Sequence, residues 1–324
     1  MLLLLLFSCS HARDCGLRTP DPGESARCRL PGGRYYDVVL PNNTASTPVI
    51  VYFHGGGGSA EGAPGSTAPD GDPDNPAGLS AVATGQGFAV VYAEGTPTKH
   101  LRNLHTWNAG GGIGDWQCVS GQACEDGVDD IAYVNAMLDD LESWLDVDTR
   151  RVFATGISNG GAMSYRVAHE LPQRFAAIAP VAAADQLGVS TDSAASLARP
   201  VLHVHGTEDP CWPMAGGPVA CLQTDGKDKA SVEASLALWT TTNGCADEPV
   251  VEALADPVDD GIHNTMSRYN CTGADLWLWT IEGGGHTWPD GDQYLREERV
   301  GPVERDINGN ELIVSFFADH PRTD

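Results

Sequence analysis

The amino-acid sequence predicts an α/β fold, a mostly parallel central sheet flanked by helices with disulfide-stapled loops, and three observations carry that prediction. Short apolar runs suited to buried strands alternate with stretches of helical period, as a parallel sheet with crossover helices requires. One such junction, residues 151–163, reads as a strand that turns sharply into a helix, with Gly156-Ile157-Ser158-Asn159-Gly160 at the turn. Downstream, an acidic pair and then a histidine each follow a further strand-like run, so a serine, an acid and a histidine succeed one another along the chain.

In chain order, residues 34–41 and 48–53 are Val- and Tyr-rich runs that read as strands around the turn Asn42-Asn43-Thr44. Residues 60–78 are dense in Gly, Pro and Asp and read as loop, 79–84 as a short helix, and 88–93 as the next strand. Residues 129–145 carry Ile131, Val134, Leu138, Leu141 and Leu145 on one helical face, while Asp129 and Asp130 supply charge that the positive end of a helix dipole favours. Val152, Phe153 and Ala154 form the strand before the serine turn, and 162–171 the helix after it, stopped by Pro172. Further strands are expected at 175–183, 200–206, 266–271 and 276–281, the last two paired across Thr272-Gly273-Ala274. Helices are expected at 231–241, ended by Asn243-Gly244, and at 307–318. His203 and His205 are expected to pack within or beneath the sheet, and His263 to lie in a loop before the strand pair.

The chemistry concentrates at the serine turn. In a nucleophile elbow the strained turn pushes a serine hydroxyl above the sheet, and glycines flank it because side chains would clash. A glycine-rich junction whose serine only caps its helix has the same pattern, so the rest of the chain must decide. His54-Gly55-Gly56-Gly57-Gly58 follows a central strand and leaves backbone N–H groups unobstructed, as an oxyanion hole needs; Gly56 and Asn159 are the expected donors. Thr207-Glu208-Asp209 ends the strand 200–206, where a triad acid belongs, and Asp209 is preferred to Glu208, whose neighbouring position points it elsewhere. His286, in a loop after the last core strand, completes the order Ser158, Asp209, His286. Trp107, Asn108 and Trp116 in the long connection 95–127, with Trp212 and Trp288, are the candidate substrate-binding residues, although tryptophans of that connection are also suited to the core.

A chain of 324 residues is expected to form one catalytic domain over 21–324, behind an export segment over 1–20. The apolar run 2–7 followed by Ser8-Cys9 fits either a signal peptide or a lipoprotein signal with Cys9 as its lipid anchor, although no Lys or Arg precedes it. The remaining eight cysteines fall as close successive pairs, and neighbour pairing is the economical reading: Cys15 with Cys28, Cys118 with Cys124, Cys211 with Cys221 and Cys245 with Cys271. Such usage points to an oxidising compartment. A net charge of -25, with only three lysines, argues against nucleic acid or anionic membrane as partners. Asp70, Asp72 and Asp74 alternate as calcium ligands do, but without the rest of an EF-hand loop they read as a solvated acidic loop.

Six stretches are familiar together: His54-Gly55-Gly56, Trp107-Asn108-Ala109-Gly110, Val128-Asp129-Asp130, Gly156-Ile157-Ser158-Asn159-Gly160-Gly161, His205-Gly206-Thr207-Glu208-Asp209 and Gly285-His286-Thr287-Trp288-Pro289. In that order they resemble the secreted esterase family of feruloyl esterases, acetyl xylan esterases and polyhydroxybutyrate depolymerases, over residues 34–317. The resemblance implies the α/β-hydrolase fold, a serine carboxylic-ester hydrolase with Ser158, Asp209 and His286 as its triad, and no metal or organic cofactor. It also agrees with disulfides at Cys211 to Cys221 and Cys245 to Cys271. Many relatives carry cysteines directly after Trp-Asn-Ala-Gly, where this chain has Gly111 and Gly112, so this wall of the cleft departs from the family pattern. The expected substrate is a feruloyl or acetyl ester of plant polysaccharide, because dedicated polymer degraders often carry a surface-binding module that this chain lacks. A polyester is the alternative substrate. A non-catalytic carbohydrate-binding protein on the same scaffold, a peptidase and an acyltransferase are the readings from other classes. The protein is expected to be secreted and monomeric.

Overall fold

The computed structural model describes residues 15, 19–98, 104–118, 121–218, 221 and 227–323. Residues 2–7 and Cys9, on which the export reading rests, lie outside them. Ten strands form one sheet: β1 (Ser25–Arg29), β2 (Tyr35–Val39), β3 (Thr47–Phe53), β4 (Ala89–Ala93), β5 (Val147–Ile157), β6 (Ala177–Val181), β7 (Val201–Gly206), β8 (Val250–Ala253), β9 (His263–Tyr269) and β10 (Leu276–Glu282). Their spatial order is β1-β2-β4-β3-β5-β6-β7-β10-β9-β8. The middle, from β4 through β10, is parallel, and antiparallel strands close both edges.

The central strands are apolar throughout because both faces are covered. In β3, Val49, Val51 and Phe53 enter a core shared with Val134, Met137, Leu138 and Leu141 of the helix Asp130–Trp144. Ile50 and Tyr52 enter the opposite core, shared with Val90 and Tyr92 and with Ile313, Phe316 and Phe317 of the helix Gly309–Asp319. Burying each such side chain contributes roughly 1.5–3 kcal/mol, so the sheet centre is the stable frame on which the loops stand. Asp129 caps the helix Asp130–Trp144 by accepting from the Ala132 N–H at 2.8 Å. Ser231 caps Val232–Asn243 in the same way, and Gly244, in the left-handed region at φ 62°, ends that helix.

Three features differ from the sequence reading. His263 is the first residue of β9, paired opposite Glu282, and does not lie in a loop. The edge strands β1 and β8 were not legible, the first polar and the second exposed along its length. Asp130 is more than a helix-start charge: it is fully buried, accepting from Arg34 Nη1 at 2.6 Å and from the Asn108 N–H at 2.7 Å. The four disulfides join neighbouring cysteines, Cys15 to Cys28, Cys118 to Cys124, Cys211 to Cys221 and Cys245 to Cys271. Among the described residues, no helix is long and apolar enough to cross a membrane.

Candidate active site

Strand β5 ends at Ile157 and the helix Asn159–Glu170 begins two residues later, so the turn falls on Ser158 alone. Ser158 sits at φ 57°, ψ −121°, a backbone conformation a non-glycine residue occupies only under constraint. The constraint comes from its N–H, which donates to the Val181 carbonyl at 2.9 Å, and from the close approach of β3. A Cβ on Gly160 would overlap the carbonyl oxygen of Phe53, and one on Gly161 would come within 2.8 Å of Ala183 Cβ. The glycines of the motif are there because the helix start is pressed against two strands.

The polyglycine loop lies against this turn. A Cβ on Gly55 would stand 3.7 Å from Ser158 Cβ, and one on Gly56 would stand 3.7 Å from Asn159 Cβ. The loop is clamped by the Gly57 N–H donating to the His105 carbonyl at 2.8 Å and by the His105 N–H returning to the Gly58 carbonyl at 3.3 Å. Buried Glu94 accepts from the Ala60 N–H at 2.6 Å and pairs with His105 Nε2 at 3.1 Å. His54 is buried beneath: its Nε2 accepts from the Gly95 N–H at 3.0 Å, so its Nδ1 carries the hydrogen that reaches the Gly55 carbonyl at 2.8 Å. Burial pushes His54 down to about 4, so it stays neutral and supports the loop without charging it. The Asn159 side chain grips the Trp107 backbone in both directions, accepting its N–H at 2.7 Å and donating to its carbonyl at 3.1 Å. The Asn159 N–H, first of its helix, has no intrahelical acceptor.

The acid and the histidine meet at the ends of β7 and β10. Asp209 is 4% exposed; its Oδ1 accepts the N–H groups of Cys211 and Trp212, both at 2.7 Å, and its Oδ2 lies 2.7 Å from His286 Nδ1. Glu208, by contrast, is exposed. His286 is itself buried, its N–H donating to the Val300 carbonyl and its own carbonyl accepting from the Tyr294 hydroxyl at 3.0 Å. The pair is therefore one in which a desolvated carboxylate, held by two backbone donors, fixes one face of an imidazole. Asp209, Cys211 and His286 offer ligand atoms within 4.8 Å of one another, but Cys211 is oxidised in its disulfide and is no thiolate donor.

The aromatic walls expected from the sequence are corrected by burial. Trp107, Trp212 and Trp288 are each no more than 1% exposed, and their indole N–H groups donate inward, to the His54 carbonyl, the Ala230 carbonyl and Asn310 Oδ1. They are core residues that support the site from behind. Asn108 is likewise committed, its side chain donating to the Val128 carbonyl at 2.9 Å. Trp116 is half-buried and packs partly against the core. The Cys118 to Cys124 disulfide fills the room left by Gly112, whose Cβ would stand 2.9 Å from Cys118 Sγ. Among the described residues, two exposed apolar side chains adjoin the site: Leu104, against Gly57, and Tyr294, tethered to the His286 carbonyl. Both stand alone in loops, outside any motif, and no sequence signal singles them out.

Asp70 and Asp72 use carboxylate oxygens to cap the N–H groups of Asp72 and Asp74, as loop carboxylates do without an ion. His263 and His320 lie away from the Asp209–His286 pair, bound to Asp256 and to Asp275 and the Phe316 carbonyl.

No protein-family model matches the chain. It is 30% identical over 280 residues to the putative esterase NocK of Nocardia uniformis subsp. tsuyamanensis, an alignment spanning 83% of this chain and 74% of that protein. It is 29% identical over 174 residues to feruloyl esterase B of Piromyces equi, and 27% identical over 181 residues to the bifunctional acetylxylan esterase/xylanase XynS20E of Neocallimastix patriciarum. Those two alignments cover 53% and 55% of this chain but only 31% and 22% of the relatives. Among solved structures, the acetyl xylan esterase from Aspergillus awamori superposes with a TM-score of 0.53 at 17% identity, over 82% of this chain and 94% of that one. Native pOPH superposes with a TM-score of 0.53 at 16% identity, over 95% of this chain and 90% of its own. At these identities the two structures speak for the α/β-hydrolase fold.

Proposed function

Because the chain belongs to the esterase family of its Nocardia relative and of the feruloyl and acetylxylan esterases, and is a serine esterase, we propose that Ser158 is its nucleophile, His286 its base and Asp209 the acid that orients that base. The observation that carries this reading is the buried 2.7 Å bond between Asp209 Oδ2 and His286 Nδ1, with the strained Ser158 at the end of β5, two strands from β7 in the same parallel sheet. With Nδ1–H committed to Asp209, the neutral imidazole presents Nε2 as its basic nitrogen. His286 Nε2 takes the Ser158 proton as Oγ attacks the ester carbonyl, and the N–H groups of Gly56 and Asn159 receive the oxyanion, each worth about 3 kcal/mol in comparable sites. The tetrahedral intermediate expels the alcohol with the proton from His286, leaving an acyl-enzyme. Water, deprotonated by the same histidine, then releases the acid.

The family and the rim of the site support a reading of the substrate class. Relatives bear the names feruloyl esterase and acetylxylan esterase, and Tyr294 offers a half-exposed aromatic face beside His286 on which a flat hydroxycinnamoyl group stacks. We therefore assign hydroxycinnamoyl or acetyl esters of plant polysaccharide as substrate, and, from the four disulfides, an oxidising extracellular setting. The test is a comparison of kcat/KM on methyl ferulate, acetylated xylan and a polyhydroxybutyrate suspension, with fluorophosphonate labelling of Ser158. Preference for the polyester would overturn the substrate class, and a folded protein that takes no label on Ser158 would overturn the nucleophile.

A further inference from the structure

Behind the Asp209–His286 pair runs a buried chain of ionisable groups that the reaction as written does not use. His203 and His205, two residues apart on β7, project to the same face of the sheet, with their rings nearly parallel, 5° between planes. Tyr165, on the helix that begins at the serine turn, places its hydroxyl 2.7 Å from His203 Nδ1. His203 Nε2 is 3.1 Å from His205 Nδ1, and His205 Nε2 is 2.7 Å from the Trp212 carbonyl and 3.6 Å from Asp209 Oδ2. All three side chains are at most 1% exposed.

For neutral rings, the partners in these three bonds assign the hydrogens along the chain. A carbonyl only accepts, so His205 Nε2 carries a hydrogen. In a neutral ring Nδ1 must then accept, and the donor facing it is His203 Nε2. His203 Nδ1 is thereby left to accept from the Tyr165 hydroxyl. Each bond points the same way, from the nucleophile's helix toward the acid's loop. Burial holds both rings below the usual histidine range. For His205 it outweighs the pull of Asp209 and of the Trp212 and Ala183 carbonyls, and His286 acts in the same direction as burial. Near Tyr165 the charged neighbour is Asp185, bound in turn to His169 and Trp239.

We propose that His203 and Tyr165 are positioning residues for ester hydrolysis: they hold His205 as a neutral ring protonated on Nε2, which anchors the Trp212 loop around Asp209 and leaves that carboxylate's charge to His286. The proposal rests on the assignment of Asp209 and His286 to the triad. A donor occupying His205 Nδ1 blocks the site at which a second proton would bind. Without it, a cationic His205 beside Asp209 competes with the imidazolium that His286 must become in the transition state. Trp212, whose N–H donates to Asp209 Oδ1 while its carbonyl accepts from His205, transmits the position of the ring to the carboxylate.

Two measurements on the full chain test this. In the resting enzyme, ¹⁵N spectra of labelled histidine should show His203 and His205 as neutral Nε2–H tautomers from about pH 5.5 to 8. A cationic ring or an Nδ1–H tautomer at either position overturns the proposal. In kinetics, His203→Gln keeps a donor toward His205 and an acceptor toward Tyr165, whereas His203→Phe keeps only the volume. The Gln variant should stay within about threefold of wild-type kcat, while the Phe variant should lose roughly tenfold or more at little-changed KM. The Phe variant's kcat should also fall through two ionisations on the acid side where the wild type shows one. Equal kcat in the two variants overturns the proposal. Should His203→Phe not fold, Tyr165→Phe is the second variant, expected to lose about threefold in kcat, and an unchanged kcat there counts against the chain. The spectra need no turnover, so they stand apart from the triad reading, which Ser158→Ala tests alone.

Discussion

The residues at the strand ends and the residues on the rim of the site are held in opposite ways. Ser158, Asp209 and His286 are fixed by backbone bonds from neighbouring strands and loops, and the turns that carry them are so tight that a methyl group on Gly160 meets a carbonyl oxygen. Leu104 and Tyr294 stand 38% and 42% exposed on loops. The contrast teaches where selection can act. Positions held to a fraction of an ångström are built into the sheet, and exposed loop positions are free to change without disturbing it.

The largest test of the contrast is chemical. Ser158→Ala should reduce turnover of a p-nitrophenyl ester by at least about 10⁴-fold while leaving the unfolding transition close to wild type, because the alanine removes only a hydroxyl. Retained activity in that variant would remove the fixed centre from the comparison altogether.

Next in size is packing. Gly160→Ala should cost about 3 kcal/mol or more in urea unfolding, because neither the Phe53 carbonyl nor the helix start can withdraw without breaking the sheet. Leu104→Ala, on the rim, should stay within about 0.5 kcal/mol of wild type. Similar costs at the two positions would show that the rim is as constrained as the elbow.

How much of this was legible follows the same division. The strand-to-helix turn at Ser158 and the pairing of Asp209 with His286 could be placed because the pattern is specific: glycines where no Cβ fits, and an acid and a histidine in turn after strands. The tryptophans misled for a physical reason. An indole suits a cleft wall and a core equally, and only the inward partners of Trp107, Trp212 and Trp288 decide between them. Asp130 read as helix-start charge because its partner Arg34 lies 96 residues away. Tyr294 carried no signal, since its role depends on a bond to the main chain of His286. At the sheet edges, Val250 and Val251 in β8 are both exposed, so the alternation that marks a half-buried strand is missing.

The loop that carries His286 adds a pH-dependent term to the fixed region. Glu304 is 1% exposed and burial raises its carboxyl from 4.5 to about 7, against the N–H groups of Asp306 and Ile307 and the amide of Asn264. Its backbone carbonyl accepts from the Asp290 N–H, beside the strand of contacts in which Val300 and Pro302 hold His286 and Gly285. A carboxyl that stays protonated longer in the folded chain favours folding most below pH 4.5, and that contribution declines as pH rises to about 7. The full difference is about 3 kcal/mol, on the order of 1.4 kcal/mol per pKa unit. Glu304→Gln, neutral at every pH, should therefore gain stability relative to wild type between those limits in urea unfolding, and parallel pH curves would show that the burial of Glu304 carries no such cost.

The smallest expected effect bears on the rim and is the one most able to sharpen the comparison. Tyr294→Ala removes an aromatic face and its hydroxyl's bond to the His286 carbonyl, whereas Tyr294→Phe removes only the bond. If the ring binds the acyl group, the alanine variant should raise KM for methyl ferulate about tenfold, equivalent to roughly 1.4 kcal/mol, and change KM for p-nitrophenyl acetate less than about twofold. The phenylalanine variant should keep KM for the ferulate and lose at most about threefold in kcat on both esters, through looser support of His286. The reverse outcome, kcat falling on both esters in both variants at constant KM, would move Tyr294 from the adaptable rim to the fixed centre. The division between the two regions would then run on the outer side of the His286 loop, leaving Leu104 as the exposed apolar side chain beside the polyglycine loop with substrate choice still to explain.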